Sequence, residues 1–172
     1  MKKIIFFTFF LIITILAYSD ENIVIERSSF ILKLNVDENR YWEWAVPQSP
    51  YVFNDNYIQF YPGEIIFVEA DVIDDIIVSL TVVKEIKDQS KTIIIEFNQI
   101  ADDDNSKIHK FMMLKIINPF NKNLEYKANV YLALYNKWWI NTSTIPVRAR
   151  LTSYESWPDI IGAIVLYDFI LK

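Results

Sequence analysis

The chain contains no cysteine. Disulfide staples, thiol chemistry and thiolate-bound metals are therefore excluded. It has only two glycines, Gly63 and Gly162, too few for a Gly-rich loop that cradles phosphate. A single histidine, His109, is present. Zinc needs several nitrogen or sulfur ligands, which one histidine does not supply. A catalytic triad needs a serine and an acid converging on the imidazole, and a sequence places neither; a lone histidine on a strand reads as structural or solvated. Acidic residues outnumber basic ones, 22 against 17, which argues against a nucleic-acid surface. No internal repeat, low-complexity tract or linker interrupts the chain, and no residue pattern calls for a cofactor.

The N-terminus, MKKIIFFTFFLIITILAYSDEN, follows the plan of a secretory signal peptide. Lys2 and Lys3 form a positive start, and Ile4 to Leu16 form an apolar run. Ala17-Tyr18-Ser19 is a small-x-small cleavage site followed at once by Asp20 and Glu21. The run is shorter than the ~20 apolar residues a spanning helix needs. The reading is a cleaved leader over residues 1–19 and one exported domain over 20–172, with no membrane span in the mature chain. A domain of that size buries enough surface to fold without staples.

Beyond the leader the hydrophobic pattern has period two, the signature of strands. Phe30, Leu32, Leu34 and Val36 alternate with polar or exposed-phase residues, and Ile66, Val68, Ala70 and Val72 do the same. Pro62-Gly63 and Asp74-Asp75 read as turns. Ile76, Val78, Leu80 and Val82 form the next predicted inward set, then Ile93, Ile95 and Phe97. Residues 108–117 are apolar on both faces, as a central strand would be. In LEYKANVYLALYN, Leu124, Tyr126, Ala128, Val130, Leu132 and Leu134 share one face. Val147, Ala149 and Leu151 alternate with two arginines, and the terminal GAIVLYDFILK is apolar on both faces. No stretch carries a helical stripe. About eight or nine short strands separated by turn signals predict an all-β antiparallel sandwich, with an immunoglobulin-like Greek key favoured over a closed barrel.

The segment RYWEWAVPQSPYVF, residues 40–53, crowds aromatics together. In an extended strand Trp42, Trp44 and Val46 face one way and Tyr41, Glu43 and Ala45 the other. The two tryptophans fit either a plug at one end of the core or a flat stacking platform, and Val46 on the same face favours the plug. Trp138-Trp139 differs. Strand neighbours point to opposite sides, so at most one of this pair enters a core and the other marks an interaction surface. Tyr41, Trp42, Trp44, Trp138 and Trp139 are thus the candidate binding residues; no catalytic or metal-ligating set stands out. Asp102-Asp103-Asp104-Asn105-Ser106 is rich in oxygen ligands. Its acids are consecutive and lack a glycine turn, so it reads as a solvated loop rather than a calcium site. Glu64, Glu69 and Asp71 are generic carboxylates of the kind a glycoside hydrolase pairs.

INPFNKNLEYKANVYL, TSTIPVRARLTSYESWP and the terminal DFIL resemble a group of uncharacterised exported proteins of Gram-negative bacteria, over roughly residues 40 to 172. The resemblance implies a β-sandwich and an envelope location and carries no catalytic residue with it. Three functions compete. One is a non-enzymatic interaction protein of the periplasm or cell envelope, with another envelope protein as partner. Another is a glycan-binding module using the tryptophans. The third is a carboxylate hydrolase. The leader reading has its own test: N-terminal sequencing of the exported protein is expected to find a start near Asp20, and a retained Met1 would contradict it.

Overall fold

The computed structural model describes residues 25–54, 56–101 and 107–172. The leader, the start near Asp20 and the Asp102–Ser106 loop lie outside the described residues. The described chain is all-β and antiparallel, with no α-helix. Its first strands are β1 (Glu26–Arg27), β2 (Phe30–Asn35), β3 (Tyr41–Val46), β4 (Ser49–Pro50) and β5 (Val52–Phe53). Then come β6 (Tyr57–Phe60), β7 (Glu64–Ile73), β8 (Ile76–Val83), β9 (Thr92–Ala101) and β10 (His109–Ile117). The last are β11 (Leu124–Leu132), β12 (Lys137–Thr142), β13 (Thr152–Trp157) and β14 (Ile161–Leu171), with one 3-10 turn, Ala133–Tyr135, between β11 and β12.

These fourteen strands replace the eight or nine expected from periodicity. Three of the extra ones are two-residue pairings too short to show alternation. Two more, β12 and β13, carry sequences (KWWINT and TSYESW) in which apolar residues do not alternate. Ten strands form one sheet in the order β12-β11-β14-β8-β7-β9-β10-β13, with β6 also on β14 and β5 on β6. The hairpin β2–β3 and the pair β1–β4 are separate. The large sheet curls. Tyr126 on β11, near one end of the order, donates its hydroxyl to Glu155 on β13, at the other end, at 2.5 Å. Burial and then the neighbouring carboxylate push that phenol far above its ordinary range.

Inside the curl one apolar cluster draws on β6 through β11 and β14. Ile58, Phe60, Phe97, Met112, Leu124, Ile164 and Leu166 are among its fully enclosed members. The inward sets on β9 and β11 follow the predicted phase, as do Ile66, Val68 and Ala70 on β7. Val72, expected inward, is exposed, because the end of β7 runs with Ile73 and Ile76 out to the Asp74-Asp75 turn, past the core. Four further expectations are corrected. Ile76 and Val78 are exposed and Ile77 is buried, because the register jumps from Asp71↔Ser79 to Val72↔Ile77. One extra residue in a strand reverses its phase. Leu134 is exposed, since the chain leaves the strand at Ala133. Ala149 and Leu151 belong to no strand; only Val147 bridges, to Leu124. Residues 108–117 are next to the end of the sheet order rather than central.

Polar groups fix the turns. Asp74 and Asp75 both take positive φ, 49° and 67°, the geometry of a two-residue hairpin turn. Gly63 at φ 92° serves the β6–β7 turn. Buried Asn118 donates its amide to the carbonyls of Lys122 (2.8 Å) and Val147 (2.9 Å) and accepts from Phe120 N–H (2.8 Å). Arg27 is 3% exposed and forks onto Glu64 at 2.6 and 3.0 Å. Its guanidinium lies between the rings of Tyr51 (4.2 Å) and Tyr61 (4.6 Å) and donates to the Gln59 carbonyl at 2.9 Å. One residue thus ties the start of the described chain to the β6–β7 turn.

The β11 phase gives a sharp test. Val130 is 1% exposed, so Val130→Asp buries an unpaired carboxylate and is expected to abolish folding. Asn129→Asp keeps the acceptor used by Asn141 N–H and should unfold within about 1 kcal/mol of the parent. Urea titrations of both variants check this; similar losses would contradict the phase.

Candidate interaction surface

The hairpin β2–β3 pairs Leu34 with Trp42 and Leu32 with Trp44. Period two puts these four residues on one face, together with Phe30 and Val46. That face lies on a second apolar cluster built from Tyr61, Ala133, Ile160 and Ala163. Trp42 and Trp44 are half-buried and meet edge-on at 5.8 Å between centroids. Trp44 also contacts Tyr61 at 5.8 Å and Tyr131 at 5.2 Å, and Trp42 contacts Tyr131 at 6.2 Å. Beneath Trp42 is Gly162, where an added Cβ would come within 2.9 Å of the indole. The glycine is therefore a close-approach residue, and the ring fills its missing side chain. Tyr41 is on the opposite face, exposed, with the Lys33 ammonium 3.4 Å above its ring.

The aromatic contacts continue outward. Tyr131 pairs with Trp138 across β11–β12, their rings 5.4 Å apart. The tyrosine thus joins the packed tryptophans of the hairpin to the exposed ones of β12, a link absent from the sequence reading. The phase of LEYKANVYL does put Tyr131 on the outer face with Asn129. What it faces there is set by chain folding that periodicity does not encode.

Neither Trp138 nor Trp139 is buried. Trp139 opposes core residue Val130, yet 57% of it is exposed, and Ile140 is 63% exposed. The reason is position: β12 ends the sheet order, and its core-side face overhangs the cluster below. Leu134 and Tyr135 in the preceding turn are also exposed. An open groove of about 460 Å3 runs along this hairpin, lined by Leu132, Tyr135, Trp138, Trp139 and Asp159. The hydroxyl of Tyr131 donates to the Asn136 amide oxygen and closes the turn. Asn136 there takes a left-handed φ of 50°, which asparagine tolerates.

The remaining chemistry-bearing groups are engaged in structure. His109 has both nitrogens in use. Nε2 faces the Pro158 carbonyl at 2.9 Å, which can only accept, and Nδ1 faces the Gln99 amide nitrogen at 3.0 Å. The partners assign the proton to Nε2. Gln99 in turn exchanges two hydrogen bonds with the Asn35 backbone, each 2.8 Å, and so ties β2 to β9. Of the three generic carboxylates, Glu64 holds Arg27, Glu69 holds Lys91 at 2.9 Å, and Asp71 accepts from Ser79 at 3.3 Å. Among the described residues no three His, Cys, Asp or Glu residues form a group that could hold a metal ion. Nor is any helix there long and apolar enough to cross a membrane.

Compared with protein-family models, with curated proteins and with solved structures, the chain finds no match.

The two tryptophan pairs should respond differently to truncation. Trp42→Ala is expected to cost about 2–3 kcal/mol, somewhat below the ~3–5 of a fully buried tryptophan. Trp139→Ala should stay within about 0.5 kcal/mol of the parent. Thermal unfolding of the two variants reads the difference, and equal losses would contradict the division.

Proposed function

We propose that this chain is an exported, non-enzymatic interaction protein of the periplasm or cell envelope. In this reading it folds as a β-sandwich, with an immunoglobulin-like Greek key as the finer assignment, and takes a protein partner of the envelope through the β12 hairpin. The observation that carries the reading is the exposure of Trp139 and Ile140 on a terminal strand whose only charge is Lys137. Exposed aromatics beside an open strand edge suit partner recognition, because the edge supplies main-chain hydrogen bonds and the side chains supply apolar area. The non-enzymatic part is supported by the engagement of His109, Glu64, Glu69 and Asp71 in structural contacts. No cofactor belongs to this reading.

A glycan-binding module is the second reading, and one observation favours it. Trp138 lies against Tyr131, while Asn129 and Asn141 are hydrogen-bonded to one another nearby on the same two strands. Rings and amides together are the groups that stack on and orient sugars.

Affinity capture from the native envelope, with the parent and its Trp139→Ala variant as baits, separates the readings. The expected result is a protein retained by the parent and lost by the equally stable variant. Retention of envelope glycan alone, abolished by Trp138→Ala, would move the assignment to the second reading. Capture unaffected by either change would overturn both.

A further inference from the structure

We infer that the partner fitting the β12 edge is a second copy of this chain, joined by antiparallel pairing of β12 with β12. The inference rests on reading the β12 hairpin as the interaction surface, and it names what occupies that surface.

The two ends of the large sheet are finished differently. At the β13 end an acid, Glu155, is turned inward and buried against Tyr126, and Pro158 follows the strand at once. Inward charges and prolines are the ordinary means of blunting an edge against pairing. At the β12 end, Lys137 to Ile140 carry one charge, at the start, and no proline. The irregularity comes only at Asn141, with φ 54° and a shifted register against β11. Among the described residues the intervening edge is paired on one side only. Its outward N–H and C=O groups are a ready template on which a second strand can pair.

The strand is complementary to itself. Antiparallel pairing about Trp139 sets Trp139 opposite Trp139, Trp138 opposite Ile140, and Lys137 opposite Asn141. Apolar residues meet apolar ones and no like charges face each other, the arrangement that stabilises cross-strand pairs. Charge along the chain points the same way. The protein carries a net −5, yet no acidic residue occurs between Glu125 and Glu155 in sequence. In space one acid, Asp159, lines the groove beside Trp138 and Trp139, and Lys137 lines it too, so two copies of an acidic chain can approach here with little carboxylate repulsion. Leu134, Tyr135, Trp139 and Ile140 are each more than half exposed. At ~150–250 Å2 per aromatic side chain, they offer roughly 400 Å2 of apolar surface per copy. With the strand backbone, this is a large share of the ~800 Å2 per partner in a standard interface.

The absence of cysteine makes the test clean. Sedimentation equilibrium of the exported protein, from low to high micromolar, should show the mass doubling with concentration. Ile140→Lys should remain monomeric at an unchanged melting temperature, since the side chain is 63% exposed. An equimolar mixture of Lys137→Cys and Asn141→Cys chains, which keep Trp138, Trp139 and Ile140, should form a disulfide-linked heterodimer on oxidation, well ahead of Lys137→Cys alone, whose copies are set four residues apart by the pairing. A dimer unaffected by Ile140→Lys, or equal cross-linking in the mixture and in Lys137→Cys alone, would overturn the inference. So would a monomer at every concentration. A monomer that still captures an envelope protein through Trp139 overturns self-pairing and leaves the parent reading standing. A monomer that captures nothing overturns both.

Discussion

Most of this architecture depends on β14, a strand buried on both faces. From Ile161 to Tyr167 every residue is buried. A strand that is apolar on both sides needs a layer above and a layer below, or it exposes a row of large side chains. Below it, Ile164, Leu166 and Phe169 enter the main cluster. Above it, Ala163 and Gly162 leave a shallow floor that the hairpin β2–β3 covers with Trp42, Trp44, Leu32 and Leu34. The tryptophans are where they are because small residues on β14 leave room for large ones. A hairpin of two strands is not stable alone, so the dependence is mutual.

Two polar devices hold this cover in place. Gln99 clasps the backbone of Asn35 at the end of β2 and is itself held by His109. Arg27 locks the chain just before β2 to the β6–β7 turn through Glu64, between two tyrosine rings. A buried ion pair of this kind adds little over an apolar substitute, but losing one partner strands the other's charge and costs several kcal/mol. Its effect is to fix where the chain enters the hairpin. Cover, clasp and lock act on one side of the sheet, and none of them reaches β12. The overhanging β12 edge is a part of the sheet that no described element covers.

Much of the fold was legible in the sequence. Strict alternation on β9 and β11, and on β7 as far as Ala70, gave the inward residues, and the two-faced apolar terminus marked the most enclosed strand. Legibility failed where the backbone breaks period two. The bulge in β8 reversed the phase at Ile76 and Val78, and the short strands carried no pattern to read. For the site, geometry alone said that Trp138 and Trp139 diverge; it could not say that β12 overhangs, because sheet order is set by long-range pairing. Arg27 and Glu64 were unreadable as a pair for the same reason, being 37 residues apart. Tyr131, in correct phase but without a visible neighbour, turned out to connect the covered aromatics to the free ones.

The central claim is that one aromatic group is structural cover and the other is an open edge. Backbone hydrogen exchange, resolved by residue, measures this directly. In dilute protein the amides of β14 and of the β2–β3 hairpin should exchange slowly, while the outward amides of Lys137 to Ile140 exchange as fast as those of the turns. Raising the protein concentration should slow the β12 amides and leave the others unchanged. Strong protection of β12 in dilute protein, or fast exchange throughout β2–β3, would contradict the account.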